Sequence, residues 1–156
     1  MRRMQPTVIE GPDELKQWVG KHLGHSPWVE VTQERVNQFA DATGDHQWIH
    51  VDVERAKAES PFGGPIAHGY LTLSMLPTMM PAVVQVTGFK LGVNYGCNRI
   101  RFMSPVPVGS QLRAGVKIVS VEDIAGGVQT TFEVTYEVEG SAKPACVAEI
   151  ILRNYL

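Results

Sequence analysis

The clearest pattern in the chain is a strict alternation near its C-terminal end. Val128, Thr130, Phe132, Val134, Tyr136 and Val138 hold every second position, and Gln129, Thr131, Glu133, Thr135, Glu137 and Glu139 fill the gaps. Successive side chains of a strand point to opposite faces, so this run predicts a strand with one buried and one wet face. Similar stripes pass through Leu112, Ala114, Val116 and Ile118, and through Cys146, Ala148, Ile150 and Leu152. A fourth runs through Phe89, Leu91, Val93, Tyr95 and Cys97, then changes parity to Ile100 and Phe102. That change predicts a bulge around Gly96 to Arg99. PVPVG (105–109), DIAGG (123–127) and EGSAKP (139–144) supply turn residues between the runs.

Before about residue 88 the period is mostly helical. Gly11-Pro12 opens a helix whose face carries Leu15, Trp18, Val19 and Leu23, with Gly24 as its stop. After an extended piece, Trp28 to Val31, Thr32 caps a helix carrying Val36, Phe39, Ala40 and Thr43, and Gly44 ends it. Asp52 caps another, from Val53 to about Glu59, which leaves Asp45 to Val51 as a short connector pinned between helices. The stretch LTLSMLPTMMPAVV (71–84) is apolar on all sides. It is shorter than the ~20 residues a membrane-spanning helix needs, and prolines interrupt it, so it reads as the buried centre of the fold, in a helix starting near Ile66. Long strands joined by short turns imply an antiparallel sheet, and no other helix is apolar enough to cover it. The expected architecture is α+β: an antiparallel β-sheet wrapped around one central apolar helix. It forms a single domain over residues 1–156, with a helical lead-in over about 1–27.

A chain of 156 residues is long enough for one such core. Its net charge of −2, with no block of like charges, argues against a nucleic-acid binder. Two cysteines, Cys97 and Cys146, are too few for a disulfide scaffold and read as small buried hydrophobes. Arg2 and Arg3 are followed by no apolar run of signal-peptide length, so the expected location is a reduced cytoplasm, without membrane insertion.

Chemistry concentrates in two segments, GDHQWIH (44–50) and GGPIAHGY (63–70). The first sets Asp45 five residues from His50. The second opens the apolar helix, with His68 and Gly69 in about its first turn. Backbone N–H groups there lack intrahelical partners, and Gly69, without a Cβ, lets a substrate atom come close. A carbonyl oxygen gaining negative charge is stabilised at such a place.

G-D-x-x-x-x-H followed by P-I-A-H-G and a long apolar helix resembles the MaoC-like, R-specific enoyl-CoA hydratases of the hot-dog fold. GDHQWIHVD is similar to their nodulation-protein-N-like branch. The resemblance runs from about Trp28 to the C-terminus and includes RFMSPVPVGSQLRA (101–114). It implies that Asp45 and His50 are the catalytic pair that activates water for addition across the C2–C3 double bond of an acyl thioester. Gly69 then supplies the N–H that binds the thioester carbonyl. It also implies a homodimer with acyl-CoA near the subunit interface, and no cofactor beyond the coenzyme A of the substrate. Hydration needs a base for the water, a proton for C2 and an oxyanion site, which is what these residue types offer. A hot-dog thioesterase, or an acyl-CoA binding module without turnover, is the alternative.

The chain departs from the family pattern twice. Gln47 and Trp48 replace the usual Asn-Pro, and Pro77 stands where some relatives carry a serine that supports the aspartate. Ser74 and Thr78 are the nearby hydroxyls to take that part. Trp48 is read as a loop anchor or as a wall of the acyl pocket, His68 as a structural or supporting group, and His46 as a solvated bystander. Asn98, Arg99 and Arg101 read either as a polar strand edge or as contacts to a CoA phosphate or the dimer interface. Asp45, His46, His50 and His68 suit zinc or iron by ligand type, but their spacing matches no metal motif, and no metal is expected.

Overall fold

The computed structural model describes residues 5–156, so Arg2 and Arg3 lie outside the described residues. The lead-in is mixed, not helical throughout. It opens with a strand, β1 (Thr7–Glu10), and a short helix, α1 (Gly11–Gln17), with Pro12 in its first turn. The helix stops earlier than its apolar spacing suggested. Trp18 closes it, Gly20 turns the chain at φ 83°, and Leu23 falls in a strand, β2 (His22–His25). A two-residue strand, β3 (Val29–Glu30), leads to helix α2 (Gln33–Thr43). The Thr32 hydroxyl accepts from the Arg35 N–H at its start. Gly44 ends it in the left-handed region, its N–H donating to the Ala40 carbonyl at 2.8 Å. The connector that follows contains one helical turn, α3 (Trp48–Val51), before α4 (Val53–Glu59), which Asp52 caps as expected.

The central helix is broken into α5 (Gly69–Ser74), α6 (Leu76–Met79) and a 3-10 turn at Met80–Ala82. Proline explains the break. Pro77 has no N–H to offer the Leu73 carbonyl one turn earlier. That carbonyl instead accepts from the Tyr136 hydroxyl of the sheet, at 3.0 Å. A strand, β4 (Val84–Thr87), then pairs in parallel with β1. Neither of these four-residue strands is long enough to show an alternation.

The long strands are β5 (Leu91–Phe102), β6 (Gln111–Ile124), β7 (Gly127–Val138) and β8 (Cys146–Tyr155). With β2 and β3 they form an antiparallel sheet in the order β2-β6-β7-β8-β5, β3 also lying against β6. On β7 all six predicted apolar-side positions are buried, Thr130 among them. The five apolar ones pack with Leu71, Met75, Leu76 and Met79 of the central segment into one core. Burying these side chains is the main stabilising term, roughly 1.5–3 kcal/mol for each large one.

The expectation fails on β5. Its register shifts twice, between Asn94 and Gly96 and between Asn98 and Arg101, and Arg99 sits at φ 50°, so the predicted bulge is present. Yet among the described residues β5 pairs with β8 alone, and Leu91, Val93, Tyr95 and Cys97 are exposed. An edge strand keeps its alternation without acquiring a cover. Cys146 is buried, and burial pushes its thiol up to about 11. None of the described helices is long and apolar enough to cross a membrane.

Candidate active site

His50 sits in the α3 turn, on the side facing the core, and is buried. Its Nδ1 lies 2.6 Å from the Ile66 carbonyl, which only accepts, so Nδ1 carries the proton. In the neutral ring Nε2 is then an unprotonated acceptor. The His50 pKa is lowered from the ordinary 6.5, first by burial and also by the neighbouring His68. The Ile66 bond and the charge of Asp45 act in the opposite direction. Gln33, at the start of α2, fixes the turn by donating its amide N–H to the His50 carbonyl at 2.8 Å. Sequence reasoning missed Gln33, because a polar residue in a first helical turn looks the same whether it is clamped or solvated.

Asp45 follows the helix-ending Gly44 and is exposed. One carboxylate oxygen accepts from the Gln47 N–H at 3.3 Å, and the Asp45 N–H lies 3.4 Å from the Thr43 hydroxyl oxygen. These short-range contacts set the loop. A third comes from far along the chain: His68 Nε2 donates to the Asp45 main-chain carbonyl at 3.0 Å. The support expected from Ser74 or Thr78 is not what holds Asp45. Ser74 instead lines a separate cavity.

His68 is the N-cap residue of α5 in an extended conformation, one position before the helix it was expected to enter. It is buried, its ring stacked on that of His50 with centroids 3.9 Å apart and planes 25° apart. Gly69 is therefore the first residue of α5, and its N–H has no intrahelical acceptor. A Cβ at Gly69 would lie 3.2 Å from the Phe102 ring. That is tighter than an ordinary contact, so a side chain at this position would have to push the Phe102 ring back by a few tenths of an ångström. Gly69, Thr72, Phe62, Phe102 and Met103 line a groove of about 280 Å³.

Asp45, His50 and His68 each offer a ligand-type atom within 4.8 Å of the others. One nitrogen of each histidine is held by a backbone carbonyl, which leaves His50 Nε2 and His68 Nδ1 facing the site, on rings stacked with their planes 25° apart. His46 is outside the cluster. It is exposed and pairs with Asp41 at 2.9 Å, which raises its pKa.

Trp48 occupies the first position of α3, where a proline is equally at home, so its replacement of proline leaves the turn intact. The Arg55 guanidinium lies 4.2 Å over its ring, and Trp48 lines neither the Gly69 groove nor the larger cavity, which favours the anchor reading. Asn98, Arg99 and Arg101 are exposed on β5, and Arg99 approaches Glu149 at 3.9 Å. That larger cavity, about 530 Å³, lies between the broken helix and strands β4, β5 and β8. Leu73, Leu76, Met80, Phe132 and Leu152 give it apolar walls, with Ser74, Asn94, Cys97 and Asn154 as polar points. Cys97, expected to be buried, opens onto it.

Comparison with known proteins identifies the family of the chain. Residues 14–141 match the family described as MaoC like domain. The 3-hydroxyacyl-thioester dehydratase Z of Mycobacterium tuberculosis is 57% identical over 147 residues, covering 94% of this chain and 97% of that protein. Nodulation protein N of Rhizobium leguminosarum bv. viciae is 49% identical over 139 residues, 85% of this chain and 84% of that one. Among solved structures, the R-hydratase PhaJ1 of Pseudomonas aeruginosa superposes with a TM-score of 0.70 at 21% identity, covering 93% of this chain and 85% of its own.

Proposed function

The chain belongs to the family of MaoC-like domains and has their hot-dog fold, and from that premise we propose that it is a hydro-lyase acting on acyl thioesters. It adds water across the C2–C3 double bond of a trans-2-enoyl-CoA to give the (3R)-3-hydroxyacyl-CoA, and runs the reverse dehydration. The observation that carries this reading is the fixed tautomer of His50 beside Asp45, at the start of the segment that presents the Gly69 N–H.

In this reading a water is held between the Asp45 carboxylate and the Nε2 lone pair of His50. As its oxygen bonds to C3, one proton passes to the pair. The electron pair of the double bond moves onto C2 and the thioester carbonyl, whose oxygen is met by the Gly69 N–H. The pair then gives a proton to C2, which completes the addition and restores the pair. The lowered pKa keeps His50 neutral, so its lone pair is available near neutral pH.

The Gly69 groove suits the thioester end and the larger cavity the acyl chain, since α5 contributes walls to both. The open β5 edge suits pairing with β5 of a second copy, which makes the working form a homodimer. Coenzyme A is part of the substrate, and the chemistry calls for no further cofactor.

Crotonyl-CoA tests this, with enoyl absorbance and free thiol followed together. Loss of absorbance without thiol is the expected result. Thiol release would instead identify a thioesterase. Binding without either change, over a series of chain lengths, would identify a carrier module.

A further inference from the structure

His68 is buried at the site, yet the proposed chemistry gives it no part. A core histidine normally has both nitrogens satisfied. Here only Nε2 is; Nδ1 is buried with no hydrogen-bond partner among the described residues. Because Nε2–H is taken up by a carbonyl, the buried Nδ1 is the atom left unpaired, which destabilises the fold. A leucine or phenylalanine would pack against Phe39, whose ring centroid is 4.9 Å away, without leaving that atom stranded.

A leucine would keep the peptide that carries the Gly69 N–H but lose two ring contacts that go to the site: Nε2–H holds the Asp45 main chain, and the ring face stacks on His50 beside that peptide. We propose that His68 is the positioning residue of the hydration step, one rigid ring that fixes Asp45, His50 and the Gly69 N–H relative to one another. The inference rests on the hydratase reading for its kinetic consequences but not for its geometry.

His50 is faced by His68 from the start of α5, by Asp45 from the loop after α2, and by the Ile66 carbonyl. Removing His68 takes away a group that lowers its pKa. The test compares His68→Leu, which keeps bulk, with His68→Gln, whose amide N–H retains a donor for the Asp45 carbonyl. Crotonyl-CoA kinetics on the full chain are expected to show kcat about 10²-fold lower in His68→Leu, the scale of a misplaced catalytic group, with KM within about threefold. His68→Gln is expected to recover most of that loss. The acid limb of its kcat/KM profile should move to higher pH. Ring-carbon NMR of His50 reads the same shift without substrate.

A folded His68→Leu with unchanged kcat would overturn the inference. So would His50 ring-carbon shifts that are the same in His68→Gln as in the wild type, since loss of the stacked ring must move them, and this second arm decides the matter where His68→Leu does not fold. Failure of the wild type to hydrate crotonyl-CoA counts against the hydratase reading alone, and the NMR arm then decides for His68.

Discussion

At the start of α5 polar groups are buried and aimed by bonds within one chain; along β5 apolar groups lie open to solvent. His50 and His68 are both less than a tenth exposed, each with a nitrogen on a backbone carbonyl. Leu91 and Tyr95 on β5 are 57% and 56% exposed. The first region is complete as it stands: tautomer, stacking and loop are all set by residues between Gln33 and Gly69. The second is an exposed apolar strand edge, which the proposed homodimer would cover. A chain that makes its chemistry alone but leaves a long apolar edge uncovered separates catalysis from assembly, and the two should fail separately.

The largest effect is expected in the first region. Asp45→Asn and His50→Gln should each lower kcat for crotonyl-CoA hydration by about 10²–10⁴, the usual worth of one acid–base group. Circular dichroism should stay native and sedimentation unchanged. Full activity in both variants would remove the pair from the chemistry.

The complementary break is Val93→Lys. A lysine on an edge strand blocks pairing, so the expected outcome is a shift from dimer to monomer in sedimentation. Substrate binding should suffer more than turnover, with KM raised about fivefold to tenfold, ~1–1.4 kcal/mol. A chain that sediments as a monomer both before and after the substitution would mean that β5 is covered by something other than a second copy.

The same contrast explains what could be read from the chain without its structure. The faces of β6 and β7 followed from period two, and the bulge in β5 from a change of parity, because both are consequences of the pleat. Burial was a different matter. Leu91, Val93 and Tyr95 alternate as well as Val128, Phe132 and Val134 do, but strand order, not pattern, decides which strand lies inside. The break at Met75 to Leu76 was visible as Pro77, whereas the Tyr136 hydroxyl that satisfies Leu73 is 63 residues away and left no local sign. In the site, Asp45, His50 and Gly69 were found through two short motifs and what those resemble. Gln33 and the grip of His68 on Asp45 depend on contacts 17 and 23 residues apart, which spacing does not encode.

A smaller and more diagnostic effect concerns pH. Burial holds the His50 pKa below 6.5, so kcat/KM should rise with pH through a midpoint below that value and level off above it. More than half of the plateau should therefore remain at pH 6.5. Stability should follow the same sign. The unfolded chain protonates its histidine more readily than the folded one, so the thermal midpoint falls as pH drops below 6.5. An acid limb centred above 6.5 would mean that His50 is more open to water than its place beneath Ile66 and His68 allows.

The smallest effect is expected four residues away. His46 shares its loop with Asp45, but its ring faces solvent and its Nε2 pairs with Asp41, which raises its pKa where burial lowers that of His50. Exposed pairs of this kind contribute little, and surface substitutions usually fall within about 0.5 kcal/mol. His46→Ala should leave kcat/KM within about twofold and the acid limb in place. If the limb moved with His46 instead of His50, the titrating group in the mechanism would be the exposed imidazole. Proximity in the sequence would then have outweighed burial, which is the reverse of what the geometry of the α3 turn requires.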